Sequence, residues 1–67
     1  MVKFAKVYQE DGEWKRKIIE VHHEQIQSID EEDDRAGEYH IKSSVILKRG
    51  GCYPSTTPRE KISEQMP

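Results

Sequence analysis

The chain has little of what usually staples, bends or anchors a fold: one cysteine, three prolines and five aromatic residues in 67. A single thiol, Cys52, cannot close an internal disulfide, and the expected setting is a reducing, cytoplasmic one. No apolar run exceeds three residues, the longest being Val45-Ile46-Leu47, so no segment is expected to span a membrane. The N-terminus lacks the apolar stretch of a signal peptide. Neither charge dominates. Eleven basic residues nearly cancel thirteen acidic ones, leaving −2, which speaks against non-specific attraction to nucleic acid.

Hydrophobic residues make up 33% of the chain and charged residues 36%. That ratio leans toward disorder, but the small net charge and the grouping of β-branched and aromatic residues argue for a fold built of strands. The length fits one small domain over residues 1–67, without an internal repeat or linker. A domain of this size buries only about 60% of its unfolded surface, so it is marginal without a partner.

Asp11-Gly12 separates two β-rich runs, Val2 to Gln9 and Trp14 to Val21, and predicts a tight hairpin. In that register Glu10 faces Glu13, Phe4 faces Ile19, Val2 faces Val21, Ala5 faces Ile18 and Val7 faces Arg16. Apolar residues then fall on both faces at the open end, with Lys6, Lys15 and Lys17 toward the turn. A strongly twisted or barrel-like sheet accounts for this, as does a subunit interface. His22 to Gln25 is a polar connection with room for one helical turn. Ile26 and Ile29, three apart, fit a helical turn or a bulged strand equally. Asp30 to Asp34 is five consecutive acids and is expected to be a solvated loop; calcium is the functional alternative, but EF-hand spacing is absent. Glu38 to Arg49 alternates with period two and predicts a half-buried antiparallel strand. Gly50-Gly51 turns it into a short return strand at Cys52-Tyr53, which Pro54 ends or confines to a sheet edge. Thr57, Pro58 and Glu60 have the spacing of N-cap, N1 and N3, predicting a capped helix from Pro58 to about Met66 with Ile62 and Met66 on its docking face.

Little here carries chemistry. His22, His23, His40 and Cys52 are the available metal ligands, but no zinc spacing occurs and adjacent strand histidines point apart. His40 and Cys52 are a conceivable dyad, yet a pairing across Gly50-Gly51 sets Cys52 against Arg49 and leaves His40 far down the strand. Gly50-Gly51 is not followed by the Lys-Ser or Lys-Thr of a phosphate loop. The expectation is no catalytic residue, no metal and no cofactor. Trp14 stands among Lys15, Arg16 and Lys17 at a hairpin end, and Tyr53 is the other conspicuous aromatic. Trp14 serves either as a binding anchor or as cover for a lysine stem and the sheet edge.

The element order places Gly12, Ile26 and Ile29, Val45-Ile46-Leu47, Gly50-Gly51, Tyr53 and Thr57 to Ile62 in a sequence that resembles the small FlbD/SwrD-type proteins of bacterial flagellar and swarming motility. It is also similar to the β half of LytTR-type DNA-binding domains. The acidic segment at Asp30 to Asp34 and Pro54 depart from that pattern, and the resemblance assigns no functional residue.

The expected fold is mainly β with one short C-terminal helix: a small curved antiparallel sheet, or partial barrel, built from two hairpins. The expected function is a non-enzymatic cytoplasmic regulatory or adaptor protein of bacterial or phage type. It would act through protein contact, including self-association as a homodimer, with Trp14, Lys15, Arg16, Lys17 and Tyr53 as contact residues. The alternative is a nucleic-acid-binding regulator using the lysines and arginines of the hairpins.

Overall fold

Five strands account for 63% of the chain. In the computed structural model, which describes residues 1–67, they are β1 (Val2–Glu10), β2 (Glu13–Val21), β3 (Ile26–Ala36), β4 (Tyr39–Leu47) and β5 (Cys52–Ser55), followed by helix α1 (Arg59–Ser63). All neighbours are antiparallel, in the order β2-β1-β5-β4-β3. The sheet is curved and open, so β2 and β3 are its two edges.

The first hairpin has the register read from its turn. Asp11 and Gly12 adopt φ of +52° and +80°, as a two-residue primed turn requires, and every pair from Val2–Val21 to Glu10–Glu13 follows. The like charges at Glu10 and Glu13 are relieved by Lys15, whose Nζ lies 3.2 Å from Glu10 Oε1. His23–Gln25 forms a single 3-10 turn.

Three expectations fail here. The acidic segment Asp30 to Asp34 is not a loop but the middle of β3, paired along β4. An edge strand that is solvated along its length tolerates acids, and register shifts at Ile26/Ser28 and Glu31/Asp34 bend the strand out of line. A third hairpin therefore exists, through Gly37-Glu38. Pro54 is not at an edge: β5 is the central strand. Pro54 stands opposite Ser44, and its missing N–H costs β4 nothing because the ladder bonds there fall on alternate pairs. The cost falls on the β1 side, where pairing shrinks to Lys6–Ser55 plus a bond from Thr56 N–H to Ala5 O at 3.1 Å. The glycine turn is also longer than expected, and Cys52 faces Ile46 instead of Arg49.

Thr57 fails as a helix cap as well. The N-cap is Pro58, without a side-chain bond. Thr57 Oγ1 instead accepts from Ala5 N–H at 2.9 Å. Thr57 N–H donates to Ser55 Oγ at 2.9 Å, and Thr57 O accepts from Ser43 Oγ at 2.7 Å. Ser43 and Ser55 are fully buried, and no buried side-chain polar atom lacks a partner. One residue thus joins β1, β4 and β5 where proline interrupts the ladder.

β1 is buried on both faces, Val2 and Phe4 on one and Ala5 and Val7 on the other. Val2, Phe4, Val21, Ile26, Val45 and the helical Ile62 form the main core, flanked by Met66 and Tyr53. Val7, Ala36 and Ile41 form a second, smaller cluster. The helix itself is short, and its end is tied down by Gln65, which accepts from Lys3 N–H at 2.8 Å and donates to Lys3 O at 2.7 Å.

Thr57→Val removes the acceptor for the Ala5 amide while keeping the shape of the side chain. It is expected to lower unfolding free energy by about 1–3 kcal/mol, measured by urea denaturation; an unchanged midpoint would show that the Thr57 hydroxyl bond is dispensable.

Candidate functional site

Alternation along β2 decides how the expected contact residues are shared out. Trp14, Arg16 and Ile18 occupy one face, Lys15 and Lys17 the other. The Lys15-Arg16-Lys17 run is therefore not one patch.

On the first face, Ile18 is 65% exposed and Trp14 41%. Arg16 is exposed and enters none of the chain's ion pairs, which are Lys3–Glu20, Lys15–Glu10 and Asp33–His40. Glu20 continues the row, with Lys3 Nζ 3.9 Å away. The backbone of this row is open as well. Glu10 and Glu13 close a two-residue turn, so the hydrogen-bonded pairs to β1 fall at Glu13, Lys15, Lys17, Ile19 and Val21. The N–H and C=O groups of Trp14, Arg16, Ile18 and Glu20 point to the free edge. No register shift interrupts β2.

Trp14 is fixed at one end. The β3–β4 turn comes so close that a Cβ on Gly37 would lie 2.9 Å from Trp14 Cδ1, and Gly37 has φ of +62°. The sheet thus coils until the turn end of β2 meets the turn end of the β3–β4 hairpin. A cleft of about 400 Å³ opens there, between Trp14 and the acids Glu32 and Asp34, over Pro54 and Ser44. Trp14 packs against the Gly37 turn and stays 41% accessible.

On the opposite face Lys17 Nζ lies 4.9 Å from the Tyr8 ring centre, and Lys6 Nζ lies 4.6 Å from that of Tyr53. Tyr53 also packs beside Phe4, with ring centres 6.1 Å apart. It lines a second cleft of about 460 Å³ with Lys48, Arg49, Glu20 and Glu24. The sequence places Lys6 with Lys15 and Lys17 on this face, as found, but sequence reasoning overlooks Tyr8 as a member of the cluster. The signal was available, because the hairpin register sets Tyr8 opposite Lys15 and Lys6 opposite Lys17.

The histidines do not behave as strand neighbours. The chain turns at His22 into the 3-10 turn, and the His22 and His23 rings stack with centres 4.6 Å apart. With Glu24 they bring three ligand atoms within 4.8 Å of one another, a nitrogen and oxygen set suited to zinc, nickel or copper. His22 Nδ1 already accepts from Glu24 N–H at 3.2 Å, leaving Nε2 free. His40 pairs with Asp33, Cys52 is exposed, and neither lines either cleft.

Gly37→Ala is expected to cost about 1–3 kcal/mol of stability, from a left-handed backbone and a forced shift of Trp14, and to change Trp14 fluorescence. Gly12→Ala, with open space around its Cβ position, carries the backbone cost alone; equal losses for the two would remove the packing contribution. Against known proteins, no family model, curated protein or solved structure matches this chain.

Proposed function

We propose that the chain is a small non-enzymatic adaptor or regulatory module, cytoplasmic in setting, that works by protein contact and associates with itself. The observation that carries this reading is the β2 edge: nine residues without a bulge, unpaired along one side, showing exposed Trp14 and Ile18 with Arg16 between them. Tryptophan and arginine are among the residues that most often dominate interface energetics, and an open regular edge is a template for another strand. The other edge is unsuited to this: β3 is bulged and acidic. A chain of this size also gains stability from a partner that binds only its folded form.

The second reading, a nucleic-acid binder, draws on the Lys6, Lys15, Lys17, Tyr8 and Tyr53 face, since lysines beside partly exposed rings suit single-stranded nucleic acid.

Sedimentation equilibrium discriminates the two. Self-association predicts a mass that rises with concentration and a melting temperature that rises with it; a monomer mass at every concentration overturns the first reading. Fluorescence anisotropy of a labelled oligonucleotide at low salt tests the second. Binding that weakens steeply with added salt supports it, and a flat titration removes it.

A further inference from the structure

The exposed row on β2 is self-complementary. We propose that a second copy of this chain pairs antiparallel along the free edge of β2 with the two-fold axis at Ile18. The proposal rests on the self-association reading above and specifies its geometry.

In that register Ile18 meets Ile18 of the second copy. Arg16 of each copy then faces Glu20 of the other, and Trp14 faces His22. The pairing satisfies three requirements together. The backbone groups turned outward are those of Trp14, Arg16, Ile18 and Glu20, so Ile18–Ile18 and both Arg16–Glu20 pairs fall at hydrogen-bonded positions, each exchanging two N–H···O bonds. The most exposed apolar side chain on the strand, 65% accessible in one copy, comes to the centre of the contact. Arg16, which has no ionic partner within the chain, acquires one, and the arrangement provides two such pairs by symmetry. On the opposite face Lys17 meets Ile19, which brings an alkyl stem against an apolar side chain.

Two alternatives are worse. Centring the axis on Arg16 sets Arg16 against itself and Lys15 against Lys17, opposing like charges at the middle of the contact. The alternative edge, β3, would set its run of acids at Asp30 to Asp34 against the same run. The result is one continuous sheet of ten strands, with β2 of each copy at its middle and the acidic β3 edges outermost.

A charge-exchange series in the full chain tests the register. Arg16→Glu and Glu20→Arg each replace two attractive pairs by two repulsive ones and are each expected to weaken self-association about tenfold or more, the equivalent of about 1.4 kcal/mol. The double variant R16E/E20R restores the wild-type dissociation constant. An equimolar mixture of the two single variants forms a heterodimer by sedimentation, because one copy is then acidic and the other basic at both positions 16 and 20, and each cross-copy pair joins opposite charges. Ile18→Asp abolishes association while its far-ultraviolet circular dichroism stays that of a β fold, since the side chain is exposed in the single copy. Association that survives Ile18→Asp, or a double variant as weak as the singles, overturns this register and leaves self-association through another surface. A wild-type chain that is monomeric throughout overturns this proposal and the self-association reading together.

Discussion

Pro54 in the central strand imposes the constraint around which the rest of the molecule is arranged. With no amide hydrogen on its β1 side, β5 joins the first hairpin at one paired position and one further backbone bond, from Thr56 to Ala5. Thr57 compensates with its amide, carbonyl and hydroxyl, reaching Ser55, Ser43 and Ala5. The geometry explains why the buried serines are serines. Ser43 and Ser55 lie where β4 and β5 approach this junction, and each provides one end of a bond to Thr57 in a place closed to water. A residue spaced to cap a helix does better as a bridge, because an unmade bond inside the protein costs more than a frayed helix start at its surface. The five-residue helix then depends on Ile62, fully buried in the main core, to hold it on the sheet.

Narrow pairing also leaves the two hairpins free to coil about each other. β1 contributes Val2 and Phe4 to the main core and Val7 to the smaller cluster with Ala36 and Ile41. Both faces of one strand are used, and the turn ends of the two hairpins meet at Trp14 and Gly37. The small chain gains two modest cores in place of one adequate core.

The first hairpin is legible to the residue, because Asp-Gly fixes the turn and a fixed turn fixes every pair beyond it. The period-two pattern of β4 is equally plain. The acids of β3 are not legible as a strand. Charge run and loop share a composition, and what distinguishes them is a partner strand some ten residues ahead, which local pattern does not contain. Pro54 misleads for a related reason: proline excludes one ladder, while a central strand has two and can dispense with part of one. On the candidate surface the residue identities at Trp14 and Arg16 are evident, but their separation from Lys15 and Lys17 follows only once alternation is applied to the hairpin register. Tyr53 stands out by its ring, and its partner is Lys6, which no motif singles out. The closeness of the two histidines depends on where β2 ends, a boundary one residue wide.

The amide of Gln65 grips both backbone groups of Lys3, standing in for a strand that β1 lacks along its first residues. Its partner lies 62 positions away, and the Thr57 bridge to Ala5 spans 52. Such distant closures slow folding, since the entropy of bringing the ends together is lost before any bond rewards it. Val7 finds its cover at Ala36 and Ile41, whereas Val2 and Phe4 share their core with Ile62, so the main core joins the two ends of the sequence and is complete only with the helix in place.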